Sequence, residues 1–112
     1  MTFHKNLTNL LKQARPRLAI VYRLEFKRCF GAVAGYVDSH IFISYGKFGV
    51  ALRLPLGTLD SIFKEKGVKH LKYFPKGHVK KEYAVLPQKI IENKRRFREL
   101  LDKSIKYALS SS

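Results

Sequence analysis

The chain holds few residues of the kinds that commonly bind metal ions or act as nucleophiles. Its four histidines and single cysteine are the natural candidates, because imidazole and thiolate ligate zinc and imidazole can activate a thiol. Their spacing favours neither use, since His70 and His78 are separated by a Pro-Gly turn and no CxxC or HxxxH pair occurs. Cys29 lies in a predicted strand, where a cysteine commonly serves as a small apolar residue. We therefore predict no metal site, no cofactor and no catalytic thiol.

The eight acidic residues are sparse, and local structure accounts for most of them. Asp38 falls in a predicted turn and Asp60 in the first turn of a predicted helix. On the last helix, Glu92, Glu99 and Asp102 have basic residues three or four positions away. The sequence has no phosphate-binding glycine loop and no GxGxxG or GxSxG motif. Acid-base catalysis needs a positioned carboxylate or imidazole, so we predict that the protein is not an enzyme.

Basic residues are the dominant chemical feature of the chain. It carries 23 Lys and Arg against 8 Asp and Glu, a formal net charge of +15. Such a field concentrates polyanions, so nucleic acid is the first partner to consider and an anionic membrane surface the second. The alternative is that the charge only keeps the protein soluble.

Two groups of basic residues are candidates for phosphate contact. The first, which we call the lysine cluster, is interleaved with Tyr73 and Phe74, aromatic residues that either stack on unpaired bases or pack in the core. The members of the lysine cluster are Lys64, Lys66, Lys69, Lys72, Lys76, Lys80 and Lys81. The second group, Arg95 and Arg96, lies on the predicted last helix beside Phe97, which faces the core. For both groups the alternative is a solvated surface.

Periodicity predicts the elements that carry these residues. Apolar residues spaced three and four apart predict a helix over residues 6–14, which Pro16 ends. Residues 18–27 favour a strand, although a helical turn over residues 18–22 fits as well.

Residues 28–54 predict a three-stranded antiparallel meander, broken at Asp38-Ser39 and at residues 46–49. Gly31 falls inside its first strand, where we expect a bend. The second strand is apolar on both faces at residues 41–43. That pattern favours a central strand covered on both sides, or a strand at a subunit contact.

The remainder predicts a short helix over residues 59–63, a strand over residues 79–85 and a long helix over residues 88–109. The fold class is therefore α+β, with an antiparallel sheet of about four to five strands flanked by helices in the order α-β-β-β-α-β-α. We expect one domain over residues 1–112, located in the cytoplasm. The lone cysteine, the lack of a signal-like start and the lack of a long apolar run indicate this location.

Five short segments occur in an order and spacing that match a known pattern. They are residues 27–32 (KRCFGA), 35–42 (GYVDSHIF), 51–55 (ALRLP), 73–79 (YFPKGHV) and 83–87 (YAVLP). With the long helix that follows, they resemble the N-terminal domain of the TfoX/Sxy family. The chain departs from the family pattern at Cys29 and Ala32, where Met and Gly are typical, at Ser39, where Gly is typical, and near Val79, where the family has Met.

The resemblance implies a secretion-chaperone-like α+β arrangement, frequent homodimers and a role in regulating competence for DNA uptake alongside the cyclic-AMP receptor protein. It supplies no agreed catalytic or DNA-contacting residues. The motif residues to which it assigns a structural role are Phe30, Gly31, Arg53, Pro75, Gly77, Tyr83 and Pro87.

We therefore expect a non-enzymatic regulatory protein that acts through its basic surface on DNA, on RNA or on a transcription complex, without a membrane. The alternative is a homodimeric protein-protein interaction module that makes no direct contact with nucleic acid.

Overall fold

The structure, a computed structural model, describes residues 2–73 and 76–110, except for the side chains of Thr2 and Cys29. Helices occupy both ends of the described chain, and the strands lie between them with one further short helix among them. The elements in chain order are α1 (Thr2–Ala14), α2 (Leu18–Val21), β1 (Leu24–Cys29), β2 (Ala32–Val37), β3 (His40–Gly46), β4 (Gly49–Arg53), α3 (Leu56–Ile62), β5 (Lys69–Leu71), β6 (Lys80–Leu86), α4 (Gln88–Glu92) and α5 (Lys94–Ser110).

The strands form one six-stranded sheet in the order β1-β2-β3-β4-β6-β5, and every neighbouring pair is antiparallel. The predicted α+β class with an antiparallel sheet and flanking helices is confirmed. The strand count is higher than expected for two reasons: the predicted first strand of the meander is divided into β1 and β2, and β5 is an additional edge strand. Its three residues include exposed Lys69 and His70, so the segment is too short and too polar to show a strand pattern.

The prediction that Gly31 bends a strand from within is wrong. Phe30 and Gly31, with φ of 49° and 79°, form a two-residue turn between β1 and β2. The predicted break at Asp38-Ser39 is confirmed as a second such turn, with φ of 48° and 71°. Positive φ at both central residues is typical of hairpin turns whose twist matches the strands. Residues 18–22 follow the helical alternative, because α2 precedes β1.

A bulge explains why residues 41–43 are continuously apolar. Gly35 of β2 pairs with Ile43 and Tyr36 pairs with Ile41, so Phe42 has no partner in β2. A bulge reorients the side chains of the longer strand. Phe42 and Ile43 are both fully buried in the same core. β3 is thus a central strand, and its apolar run needs no subunit contact to explain it.

The main core lies between the helices and one face of the sheet. All five helices contribute buried residues to it, among them Leu7 of α1 and Phe97 of α5. α5 is tied to the sheet by Ser104, whose buried Oγ donates to the backbone oxygen of Phe42 over 2.6 Å. A smaller cluster forms around Ala51 and Val85, with no helical residue among its described members. The helices therefore cover one face of the sheet and leave the second face to this smaller cluster.

The long helix predicted over residues 88–109 is divided into α4 and α5 at Asn93. The backbone of Asn93 is extended, with ψ of 94°, and its Oδ1 accepts a hydrogen bond of 3.1 Å from the N–H of Arg96. This is the geometry of a side-chain N-cap, which satisfies a helix donor that would otherwise lack a partner. No helix within residues 2–73 and 76–110 has the length and apolar character needed to cross a bilayer.

Candidate nucleic-acid interface

The lysine cluster runs along the β5 edge of the sheet. Lys64 and Lys66 lie in the connection from α3 to β5, and Lys69 lies on β5 itself. Lys72 and Lys76 follow in the connection to β6. All seven members are exposed, including the two that begin β6, Lys80 and Lys81. The Cα atom of Lys80 pairs with that of Leu71 across the two strands, so the members from both strands meet at one edge.

The charge of the lysine cluster is not compensated by ion pairs. Every ion pair between described residues uses an arginine, and no lysine takes part in one. The stretch of residues 64–82 contains two carboxylates, and arginines from other elements hold both. Glu65 is bound by Arg96, and Glu82 by Arg53. The arginines thus neutralise the only acidic groups of this stretch and leave its lysines free to meet an anion.

Arg53 joins four elements near the lysine cluster. Its Nε donates to Oε1 of Glu82 over 2.7 Å, and its Nη1 donates to the backbone oxygen of Ile41 over 3.4 Å. Its Cζ lies 5.1 Å from the ring centre of Tyr107 on α5. Burial lowers the pKa of Arg53, but the hydrogen bond and the charge of Glu82 together raise it by a larger amount. The net shift of the pKa is therefore upward. Its strand partner Tyr83 is largely buried, which raises the pKa of that phenol.

The second basic group has one engaged and one outward-facing arginine. Arg96 presents two guanidinium nitrogens to Glu65, with Nη1 3.1 Å from Oε1 and Nη2 bonded to Oε2. This hydrogen bond raises the pKa of Arg96. The pair ties α5 to the connection that carries Lys64 and Lys66, so the structure brings Arg96 beside the lysine cluster. Arg95 is 91% exposed and lies 3.3 Å from Glu99 one turn along the same helix.

The aromatic residue predicted within the lysine cluster packs on the second face of the sheet. The ring centre of Tyr73 lies 5.4 Å from that of Phe30 and 5.6 Å from that of Phe48. Its hydroxyl lies 3.1 Å from Oγ of Ser44, a hydrogen bond in which either oxygen can donate. Lys80 Nζ lies 6.0 Å from the Tyr73 ring centre, and Phe74 lies outside the described residues.

One row of paired residues crosses all six strands on the second face. Its centre consists of small or apolar buried residues, and each end is an exposed lysine on an edge strand. The row is Lys27, Ala34, Ser44, Ala51, Val85 and Lys69. Sequence reasoning missed Lys27, whose Nζ lies 4.9 Å from the ring centre of Tyr36. The alternation of residues 23–27 was the signal that could have placed it on this face.

The residues to which the resemblance assigns a structural role lie in turns, strands and helix starts. Phe30 and Gly31 form the first hairpin turn, and Phe30 is 64% exposed. Gly77 is half-buried in the connection before β6. Pro87 has extended backbone and precedes α4 as its N-cap residue. Pro75 lies outside the described residues.

The histidines do not gather into a site. The ring of His70 lies against that of Phe63, with centres 4.3 Å apart and planes inclined by 30°. Within residues 2–73 and 76–110, no three side chains of His, Cys, Asp or Glu come together in a way that could hold a metal ion. A comparison with protein-family models finds no match to this chain, and a search of curated proteins finds none either.

Proposed function

We propose that the protein is a non-enzymatic regulator, acting in the cytoplasm, that binds nucleic acid through the lysine cluster. One observation carries this proposal. Seven exposed lysines lie along the β5 edge of the sheet without an ion pair among the described residues, while arginines hold both carboxylates of the same stretch. When such lysines bind phosphates, they displace counterions condensed on the nucleic acid, and the release of these counterions supplies much of the binding free energy.

The division between lysine and arginine favours contact with the phosphate backbone. Arginine is the side chain that most often reads a guanine edge, through two parallel hydrogen bonds. Arg53 and Arg96 already direct their guanidinium groups to carboxylates of the protein. Lysine is a flexible point charge that suits phosphate. We therefore expect affinity that depends little on base sequence.

The expected ligand is double-stranded DNA, which carries one phosphate charge per about 1.7 Å of its axis because both strands contribute. Stacking on unpaired bases would require exposed aromatic faces. The ring of Tyr73 packs between Phe30 and Phe48, and its hydroxyl is bonded to Ser44, so the lysine cluster offers charge more than stacking.

Charge reversal within the lysine cluster tests this proposal. The double variant Lys80→Glu, Lys81→Glu is expected to weaken binding to a short DNA duplex at least about tenfold at low salt, because two phosphate contacts become repulsive. The measurement is fluorescence anisotropy with labelled duplex.

The matched control is Lys5→Glu, Lys12→Glu. Both residues are exposed on α1, in the helical layer, and the net charge changes by the same amount. An affinity loss of less than about threefold is expected for this control. Equal losses in the two double variants would show that only net charge matters and would contradict the proposal.

The resemblance to the TfoX/Sxy family supports a more specific target. We propose that the protein acts at promoters together with the cyclic-AMP receptor protein. The segment pattern that carries the resemblance, not the geometry, is the support for this step. The protein should slow the electrophoretic migration of a complex between that receptor and promoter DNA, or raise the affinity of the receptor for that DNA. If a stoichiometric addition changes neither, the promoter assignment is wrong while general nucleic-acid binding stands.

The competing function is a homodimeric interaction module without direct nucleic-acid contact. The edge strand β1 favours it, because an edge presents backbone groups that a second copy could pair with. Lys27 and Arg28 on the same strand oppose it, since charged side chains on an exposed edge strand discourage its pairing with another strand. Sedimentation that gives a dimer, with a DNA affinity unaffected by Lys80→Glu, Lys81→Glu, would favour this alternative.

A further inference from the structure

An apolar groove lies between the α1–α2 corner and the last helix, in the helical layer. Its volume is about 810 Å3. Leu18 of α2 and Ile105 of α5, each 5% exposed, belong to both the groove lining and the core, so they form its floor. The rest of the apolar lining comes from Ala14, Pro16, Val21, Tyr22 and Leu109. The groove lies in the layer opposite the second face of the sheet, so it is a separate feature from the lysine cluster.

The groove borders exposed apolar surface. Val21 is 62% exposed and its neighbour Ile20 is 75% exposed. Exposing two large aliphatic side chains to water costs free energy, and burial against a partner would recover it. Scattered single apolar residues are ordinary, but an exposed pair beside an apolar concavity indicates an interaction site.

The groove also continues along α5. A second depression of about 230 Å3 shares Ala14 and Arg98 with it and is lined by Leu10, Ile91 and Phe97. The two depressions together follow α5, whose 17 residues extend over about 25 Å. An elongated apolar track of this kind matches the dimensions of a helix more closely than those of a small ligand.

The charges around the groove are positive. Its lining includes Arg17, Arg98 and Lys106, none of which forms an ion pair with any described residue. The one carboxylate in the lining, Asp102, is bound by Arg15. The rim therefore has three cations without carboxylate partners around an apolar floor.

We propose that this groove docks an acidic amphipathic helix of a partner protein. The apolar face of such a helix would cover Leu18, Val21 and Ile105, and its carboxylates would meet the rim cations. A second copy of this chain fits less well, because each copy carries a net charge of +15 and α2 has no acidic residue. A membrane fits less well because a planar surface cannot reach the floor of a concave groove. This inference is independent of nucleic-acid binding by the lysine cluster.

The test uses a labelled peptide of about 18 residues, with leucines at i, i+3, i+4 and i+7 and glutamates on the opposite face. Fluorescence anisotropy should show saturable binding. A scrambled peptide of the same composition has the same charge but no apolar face, and it should bind at least about tenfold more weakly. Equal binding of the two peptides would overturn the proposal, because charge alone would then explain both.

Two variants of the protein locate the peptide. Val21→Asp should weaken binding at least about tenfold, because it places a carboxylate against the glutamates and the leucines of the helix. Leu56→Asp is the matched control, since Leu56 is also an exposed apolar helix residue, at 73% exposure, and lies outside both depressions. Circular dichroism verifies that both variants are folded. Equal losses in the two variants would overturn the proposal.

Two further measurements distinguish the proposed helix from the two alternative occupants of the groove, a lipid surface and a second copy of the chain. The wild-type protein and Val21→Asp should bind equally to vesicles of phosphatidylcholine and phosphatidylglycerol. A loss of vesicle binding specific to Val21→Asp would overturn the proposal in favour of lipid. Sedimentation should give the same oligomeric state for the wild-type protein and Val21→Asp. A dimer that this change converts to a monomer would identify a second copy as the occupant and would also overturn the proposal.

Discussion

Three of the arginines have a role that no described lysine shares. Arg15, Arg53 and Arg96 each bind a carboxylate on another part of the chain. They connect the residue after α1 to α5, β4 to β6, and α5 to the α3–β5 connection. Their planar guanidinium groups suit these fixed geometries. The lysines form no ion pair among the described residues, so they contribute most of the outward positive field.

Arg53→Met is expected to lower the free energy of unfolding by about 1–2 kcal/mol, because it removes the bond to Glu82 and leaves the Ile41 carbonyl without this donor. The half-exposed state of Glu82 keeps the loss below that of a fully buried pair. Urea denaturation measures it. Arg95→Met, at a largely exposed helix pair, should change stability by no more than about 0.5 kcal/mol. A loss at Arg53 no larger than the loss at Arg95 would contradict the role given to Arg53.

Residue contacts between distant parts of the chain could not be predicted from the sequence. Arg96 and Glu65 are 31 positions apart, and only the fold brings them together. The exposure of the lysine cluster was predictable, since long charged side chains are costly to bury. Asp102 was expected to pair within its own helix, but it binds Arg15, the residue that follows α1.

At the scale of elements, the cap at Asn93 separates α4 from α5. Asn93→Ala should lower the free energy of unfolding by about 1 kcal/mol, because the N–H of Arg96 loses its side-chain acceptor. Asn93→Asp retains an acceptor and should stay within about 0.5 kcal/mol of wild type. Urea denaturation of both variants measures the difference. Equal stability of the Ala and Asp variants would show that the side-chain cap contributes nothing.

Elements with strong periodicity or turn residues were predictable, and elements with weak local signals were not. The apolar spacing of α1 and the Asp38-Ser39 turn gave correct predictions because local chemistry determines both. The Phe30-Gly31 turn lacks the usual Asn-Gly or Asp-Gly signal, so the sequence pattern predicted no break between β1 and β2. The apolar stripe runs on from Ile90 and Ile91 to Phe97, which concealed the break at Asn93.

At the scale of the whole molecule, the fold separates its packing surface from its charged edge. All five helices cover one face of the sheet, whereas the lysine cluster follows the β5 edge. The antiparallel topology places residues from three chain segments at that edge, and no local pattern in the sequence could show it. The proposed nucleic-acid interface is therefore a product of the topology as well as of the composition.

The most direct test of this interface is the salt dependence of duplex affinity. If about six lysines contact phosphates, a plot of log affinity against log salt concentration should have a slope near −5 for the wild-type protein. Lys80→Glu, Lys81→Glu should make the slope shallower by about 2, while Lys5→Glu, Lys12→Glu should leave it nearly unchanged. A flat wild-type slope, or an equal change of slope in the two double variants, would contradict nucleic-acid binding by the lysine cluster.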